Sequence, residues 1–451
     1  MTDQPSRSAP LAAALLGATD LLVAVISGRT LDAALAEAAL SATPPTGPLR
    51  AAVMDLAYST LRSFGRGDFL LAQLMAKPLT DVHVRCLLLI TLNRLETRPE
   101  HAYAIVDQAV TAASHLAAGN FKGLVNGVLR NFLRRQDELL TRAKENPVAH
   151  YQHPAWWITR LKKDHPHHWQ AILAASNTHP PMTLRVNLRR TPGVLPSGRI
   201  TSAVPLDTAL HNFSAHLTAA GLAARAVGEA AWRLDKPVPT EQIPGFREGL
   251  CSVQDAGAQR AALLLDVHPG QRVLDACAAP GGKAAHLLEI ADLHLLALDA
   301  DPARATRITE NFVRLGLLSN HVHVRTGDAC LPATWWDGQP FDRILADVPC
   351  TASGVVRRHP DAKWLRRVSD IDRFVATQTR ILDAIWRTLA SGGKMLYATC
   401  SLFAAENEDQ VAAFIGRHAD AQRLAIDGAP SVQLLPHADH DGFFYALLQK
   451  N

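Results

Sequence analysis

Two cysteines and a glycine-paired loop are the residues of this 451-residue chain best suited to covalent chemistry. Cys350 lies in LADVPCTASG and Cys400 in LYATCS, each at the C-terminal end of an apolar run that reads as a buried strand. A third run, RVL, leads into DACAAPGGK at residues 275–283. In an open parallel sheet the carboxyl ends of the strands line the ligand crevice, which would set two thiols and a cofactor loop on one pocket. Such a pair suits the addition of sulfur to an unreactive ring, one thiol attacking as its thiolate and the other helping the adduct to break down. Chemistry alone does not say which cysteine attacks.

The loop has its own logic. Gly281 and Gly282 let a ligand approach the backbone closely, and free N–H groups at a helix start favour an anion. The spacing is neither GxGxxG nor GxxxxGK[ST], so a ligand with one carboxylate fits better than a pyrophosphate. Cys277, Ala278, Ala279, Pro280, Gly281, Gly282 and Lys283 are therefore read as a cradle for a nucleoside cofactor. Asp299 ends the next strand, where a carboxylate accepts from ribose hydroxyls, and Asp328 ends the one after, placed to accept from an adenine amino group or to position the loop. Cys86 and Cys251 read as inert buried thiols.

The positioning elements follow from the pattern. RVLDAC, LLALDA, HVHVRTGD, FDRILADV and GKMLYATC read as strands alternating with helices that begin near Lys283, Pro302, Asp370 and Ala405, the signature of a doubly wound parallel sheet. GFFYALLQK, after Asp441-Gly442, reads as a closing edge strand. Residues 1–145 read as an all-α bundle, with apolar spacing at 84–95, 102–113 and 121–135 and a break at Asn146-Pro147. Residues 146–250 read as a small α+β module with a helix in HPAWWITRLKKD, a strand in MTLRVNLRR, a loop over Thr191 to Pro205, a helix over Ser214 to Ala224 and a strand over Ala230 to Leu234. Residues 251–451 read as the α/β Rossmann-like domain.

The totals exclude several classes. Six cysteines without paired spacing argue against a secreted disulfide framework, and the lack of CxxC or HExxH argues against a zinc site. The apolar stretch Leu11–Ile26 contains Asp20 and is short for a spanning helix, and the single Arg7 before it makes no signal-peptide pattern. A soluble, cytoplasmic, monomeric protein with no metal and no membrane partner is expected. The net charge of +4 is mildly basic and compatible with an anionic partner.

DACAAPGGK, LADVPCTASGVVRRHPDAKW, YATCS followed by Glu406 and Asn407, and DGFFYALLQK resemble the motifs of RNA 5-methylcytosine methyltransferases of the Sun/Fmu family. Arg50 to Leu61 and GLVNGVLRNF resemble the family's NusB-like RNA-binding domain, and MTLRVNLRR its RxN segment. The resemblance implies an all-α NusB-like domain, an α+β middle module and a class I methyltransferase domain. It also implies S-adenosyl-L-methionine as cofactor, 16S rRNA or a small-subunit precursor as substrate and the cytosine numbered 967 as target. On the resemblance Cys400 is the nucleophile, Cys350 promotes release, Asp347 lies between methyl donor and base, and Lys283 contacts cofactor or base. Val348 and Thr351 depart from the family's common alanine and serine.

Arg357, Arg358, His359, Lys363, Trp364 and Arg366 follow the Cys350 turn, cations with an aromatic among them, as single-stranded RNA contact requires. The basic border of the helix at 121–135 is a second RNA surface on the resemblance alone. The competing readings are the same chemistry on another rRNA or tRNA cytosine, a non-catalytic RNA-binding or ribosome-assembly factor, and a nicotinamide dehydrogenase. The absent GxGxxG and the paired cysteines count against the last.

Overall fold

The structure, a computed structural model, describes residues 11–41, 44–190 and 206–451. Arg7 and the expected loop over Thr191 to Pro205 lie outside the described residues. The chain forms two compact units, Met1–Thr178 with Val356–Arg367, and His179–Val355 with Val368–Asn451.

The first unit is helical: α1 Leu11–Ile26, α2 Leu31–Ala39, α3 Gly47–Arg62, α4 Phe64–Leu74, α5 Val82–Thr97, α6 Ala102–Ala113, α7 Lys122–Glu145, α8 Pro147–Tyr151, α9 Ala155–Asp164 and α10 Trp169–Ser176. Cys86 to Thr91 of α5 are buried without a break, and a helix apolar on every side belongs in the middle of a bundle. It packs against α1, α3, α4, α6 and α7. Asp81 caps it by accepting from the Val84 N–H at 2.9 Å. The buried face of α7 is Val125, Val128, Leu129, Phe132, Leu139 and Ala143, the expected stripe extended by three turns.

The chain breaks at the expected boundary near residue 145, but the first compact unit does not end there. Asn146-Pro147 ends α7, but Asn146 caps the Ala149 N–H at 3.0 Å and Pro147 starts α8, a position where its missing N–H costs nothing. The helical unit therefore runs on through α10, and the helix in HPAWWITRLKKD belongs to it.

The second unit holds two sheets. β1 Met182–Val186, β2 Ala224–Ala226, β3 Ala231–Leu234 and β4 Cys251–Val253 form an antiparallel sheet in the order β2-β3-β1-β4, with α11 Leu206–Ala219 in the same module. Because β4 pairs with β1, this module ends beyond the expected residue 250. The larger sheet comprises β5 Arg272–Asp275, β6 His294–Asp299, β7 Val322–Thr326, β8 Phe341–Asp347, β9 Leu389–Thr399, β10 Ala421–Leu424, β11 Val432–Leu434 and β12 Phe443–Lys450. Its order is β10-β12-β9-β8-β5-β6-β7, with β11 also on β12 and β5 to β9 parallel. Helices α12 Ala256–Leu265, α13 Gly282–Ile290, α14 Pro302–Leu315, α15 Val368–Trp386 and α16 Glu408–Arg417 complete the doubly wound fold.

The last strand is not an edge. β12 runs antiparallel between β9 and β10, and Phe443 to Leu448 are buried on both faces, as an interior strand requires.

Candidate active site

β8 and β9 are parallel neighbours with Asp347 opposite Ala398, so the turns that follow them leave the sheet side by side. Cys350 lies three residues beyond β8 and Cys400 one residue beyond β9, and their sulfurs are 3.4 Å apart. The turn after Cys350 is pinned by Gly354, whose N–H donates to the Cys400 carbonyl at 2.8 Å. The Gly354 carbonyl accepts from the Gly442 N–H at 2.9 Å, and a Cβ on Gly354 would stand 2.3 Å from the Gly442 carbonyl oxygen. Only glycine lets these two backbones meet. Cys350 is buried, while Cys400 is partly exposed. The hydrogen bond with Cys400, then burial, then the charges of Cys400 and Glu406 hold the Cys350 thiol well above its ordinary range.

Beneath the thiols lies a buried polar node. Glu406 Oε1 accepts from the Thr351 N–H at 2.8 Å and from Gln378 at 3.2 Å, and Oε2 accepts the hydroxyls of Thr351 and Ser401 at 2.5 Å each. Burial raises the Glu406 carboxyl, and hydrogen bonds from Ser401, Thr351 and Gln378 oppose the rise. Thr351 supplies the hydroxyl that a serine would supply. Asn407 braces the Cys400 turn, accepting from the Thr399 hydroxyl at 2.6 Å and donating to the Ser401 carbonyl at 2.9 Å.

Carboxylates gather at the carboxyl-terminal ends of the same strands. Asp347 pairs with the Lys283 ammonium at 2.6 Å. Burial works against that ammonium, but Asp347, Cys400 and Asp275 together hold its pKa above the ordinary lysine value. Asp299, at the end of β6, accepts from the Ala279 N–H at 3.2 Å and the Asp301 N–H at 3.1 Å, and Arg304 lies 3.6 Å away. Asp328 is exposed beyond β7 and accepts from the Cys330 N–H at 2.8 Å. Gly281 adopts φ 94° at the start of α13, which closes the 277–283 loop on Asp299. Cys277 is held well above the ordinary thiol range by burial and by Asp275, Asp347 and Asp299, and burial pushes Cys86 and Cys251 up to about 12.

Two residues of this region escaped the sequence reading. Asp275 is buried at the end of β5; the Cys277 amide influences it, but neither carboxyl oxygen has a partner in full hydrogen-bond geometry. Burial first, then Asp347, pushes it up to about 8. Arg185 of β1 is fully buried and forks onto Glu289 of α13 at 2.8 and 2.7 Å, and it also donates to the Gly282 carbonyl at 2.8 Å. The strand is buried at four of its five positions, so alternation gave no hint that an arginine pointed inward.

Of the expected RNA-contacting run, Arg357 and Lys363 are buried, while Arg358, His359, Trp364 and Arg366 are partly exposed. Val356–Arg367 belongs to the helical unit, where several of its side chains are structural. Lys363 is buried and donates to the Arg62 carbonyl at 3.2 Å and Asn177 Oδ1 at 2.8 Å, and burial and Arg62 drive its pKa well below the ordinary lysine value. Trp364 is partly exposed, donates from its indole N–H to the Leu61 carbonyl at 2.8 Å and packs 5.1 Å from the Phe64 ring. Arg357 is buried, and its carbonyl accepts from Arg62 at 3.0 Å. His359 pairs with Asp32 at 3.3 Å, while Arg358 and Arg366 are half-buried. Among the described residues no His, Cys, Asp and Glu cluster is arranged to hold a metal, and no helix is long and apolar enough to cross a membrane.

Comparison with known proteins agrees with this architecture. Residues 262–449 match the family described as 16S rRNA methyltransferase RsmB/F, residues 153–192 the ferredoxin-like domain of RsmF/B-like methyltransferases, and residues 13–134 the NusB family. The chain is 43% identical over 417 residues to ribosomal RNA small subunit methyltransferase B of Pectobacterium carotovorum, covering 89% of this chain and 91% of the relative. It is 44% identical over 410 residues to the protein of the same name from Serratia proteamaculans, covering 89% and 90%. The crystal structure of PH0851 shares the fold across 100% of both chains with a TM-score of 0.78 at 21% identity. A methyltransferase homolog from Pyrococcus horikoshii matches with a TM-score of 0.56 at 24% identity, covering 67% of this chain and 97% of its own. From the NusB-type helices to the thiol-bearing sheet, this chain belongs to the ribosomal RNA small subunit methyltransferase B family.

Proposed function

We propose that this protein transfers a methyl group from S-adenosyl-L-methionine to C5 of a cytosine in 16S rRNA, at the position numbered 967, through a covalent adduct between Cys400 and C6. The observation that carries the reading is the pair of thiols 3.4 Å apart beside the Lys283–Asp347 ion pair. The donor set fits the cofactor. Asp275, Asp299, Asp328 and Asp347 stand at or just beyond the ends of four adjacent strands, where they suit a ligand that carries a sulfonium, an ammonium and a ribose diol. Asp299, Asp328 and the 277–283 loop would hold it, and when bound it supplies an electrophilic methyl group.

Cys400 is the accessible thiol, and its thiolate adds to C6 of a cytosine taken out of its stack. The C5–C6 π pair moves onto C5 and is delocalised towards C4 and N3, so C5 becomes nucleophilic, and the charged Lys283 ammonium opposes the negative charge that develops on the ring. Asp347 is half-buried and accepts from the cytosine amino group. Once C5 carries both the methyl group and its hydrogen, the proton passes to water and its electron pair re-forms the C5–C6 double bond. The C6–S pair returns to Cys400. Cys350 stays a neutral thiol and donates a hydrogen bond to the departing sulfur, which lowers the cost of release. The test is trapping. Cys350→Ala should accumulate an enzyme–RNA adduct that survives denaturant, and Cys400→Ala should form none while still binding the cofactor. An adduct in Cys400→Ala, or none in Cys350→Ala, would reverse or remove these roles.

A further inference from the structure

Glu406 touches no reacting atom, yet its carboxylate is where the two cysteine turns converge. The residue immediately after Cys350 is Thr351 and the residue immediately after Cys400 is Ser401, and both hydroxyls donate to the same oxygen, Oε2, at 2.5 Å. The other oxygen takes the Thr351 N–H and the Gln378 amide of α15. We propose that Glu406 is a positioning residue that sets the separation of Cys350 and Cys400 by clamping both turns to one carboxylate. The inference rests on the two-cysteine reading above.

The geometry supports a clamp rather than a passive filler. The Glu406 side chain is wholly buried and its two oxygens take four donors, and hydrogen bonds to a carboxylate are about twice as strong as neutral ones when it is ionised. Three of those donors come from the residues adjoining the cysteines. Ser353 cross-links the same two turns, 3.1 Å from the Ser401 hydroxyl and accepting from the Leu402 N–H at 2.7 Å, so lateral slip is already restricted. Without Glu406 the two hydroxyls keep only longer contacts, 3.3 Å to each other and 3.4 and 3.1 Å to Ser353 Oγ, in place of the 2.5 Å bonds to one carboxylate oxygen. Both thiols must address one pyrimidine ring, and a misplacement of about 1 Å at a reacting group can cost about 100-fold in rate. Threonine at 351 supplies the hydroxyl that the clamp needs, as a serine would.

The test uses the full chain with Glu406→Ala, Glu406→Gln and Thr351→Val. The first readout is closure of a Cys350–Cys400 disulfide by diamide, whose N=N bond takes two electrons and two protons from the thiols and becomes a hydrazine. Peptide mass spectrometry identifies the bond. The second is kcat and KM on rRNA, and the third is S-adenosyl-L-methionine affinity. Glu406→Ala is expected to slow disulfide closure and kcat together by roughly 10- to 100-fold. KM and cofactor affinity should stay within about twofold, because the lost interaction acts on alignment rather than binding. Glu406→Gln should restore most of both rates, since the hydroxyls can turn to suit an amide. Thr351→Val, which keeps the shape and loses one donor, should fall between. Unchanged closure and kcat in Glu406→Ala would overturn the inference, and if that variant does not fold, unchanged values in Thr351→Val would overturn it instead. Slowed closure in a protein whose wild type methylates no cytosine would keep the clamp and defeat the proposed function.

Discussion

Replacing Arg185 with methionine is the sharpest test of how the cofactor-loop helix is held. The guanidinium grips α13 at both ends, with two bonds to Glu289 near its last turn and one to the Gly282 carbonyl at its first residue, and it also donates to Gln254. The two side chains are 0% and 3% exposed, so Arg185→Met leaves an ionised carboxylate in the interior without its partner. Breaking one side of such a pair costs about 3–5 kcal/mol. At about 2–4 °C per kcal/mol for a domain of this size, the catalytic unit's transition should fall by roughly 6–20 °C. The double variant Arg185→Met with Glu289→Leu removes both charges and should return to within about 2 kcal/mol of wild type. Calorimetry and urea unfolding of the four proteins in the cycle give the coupling directly. A loss under about 1 kcal/mol in the single variant, or a double variant no more stable than the single, would refute the reasoning.

Gly354→Ala drives a methyl group against the Gly442 carbonyl oxygen, and because backbone opposes backbone neither side can yield cheaply. We expect a loss of about 1–3 kcal/mol and a larger fall in methylation than in cofactor binding; wild-type turnover would contradict it. Asp275 offers a pH test. Its folded value of about 8 lies above the ordinary 3.8, so its contribution to stability is complete at low pH and is lost as pH rises through about 8. Asp275→Asn should flatten that decline in a series of melting temperatures, and parallel slopes would show that Asp275 is not the titrating group. In the helical unit Lys363 has a depressed pKa, so the unfolded chain binds the extra proton and stability rises with pH below the free lysine value. Lys363→Met should remove that slope.

The legible parts of this protein were those encoded locally. The strands at RVLD, LLALD, HVHVRT, FDRILAD and the run ending YAT emerge where the alternation of apolar runs and helices places them, because each carries its own period and its own turn. Lys122–Glu145 is visible for the same reason. What was hidden depends on partners far away in sequence. β4, three residues long, is a strand because it pairs with β1, some seventy residues earlier. Lys363 and Trp364 look like a basic, aromatic RNA surface until Asn177 and Leu61 claim their polar atoms. The interior place of β12 has a signal in the sequence, since an uninterrupted run such as FFYALL fits a strand covered on both faces better than an edge. At the site, the cysteines and the Lys283 loop follow from motif and spacing, whereas Asp275 and Arg185 matter through burial, which a single sequence does not display.

The most direct measurement of the central claim is to incubate the purified protein with unmodified 16S rRNA, free and in small-subunit precursors, together with labelled S-adenosyl-L-methionine, and to map new 5-methylcytosine by bisulfite sequencing. The account predicts one modified cytosine, at position 967, formed by wild type and absent with Cys400→Ala. Label on a different atom or a different RNA, or no label on any of these substrates, would contradict it.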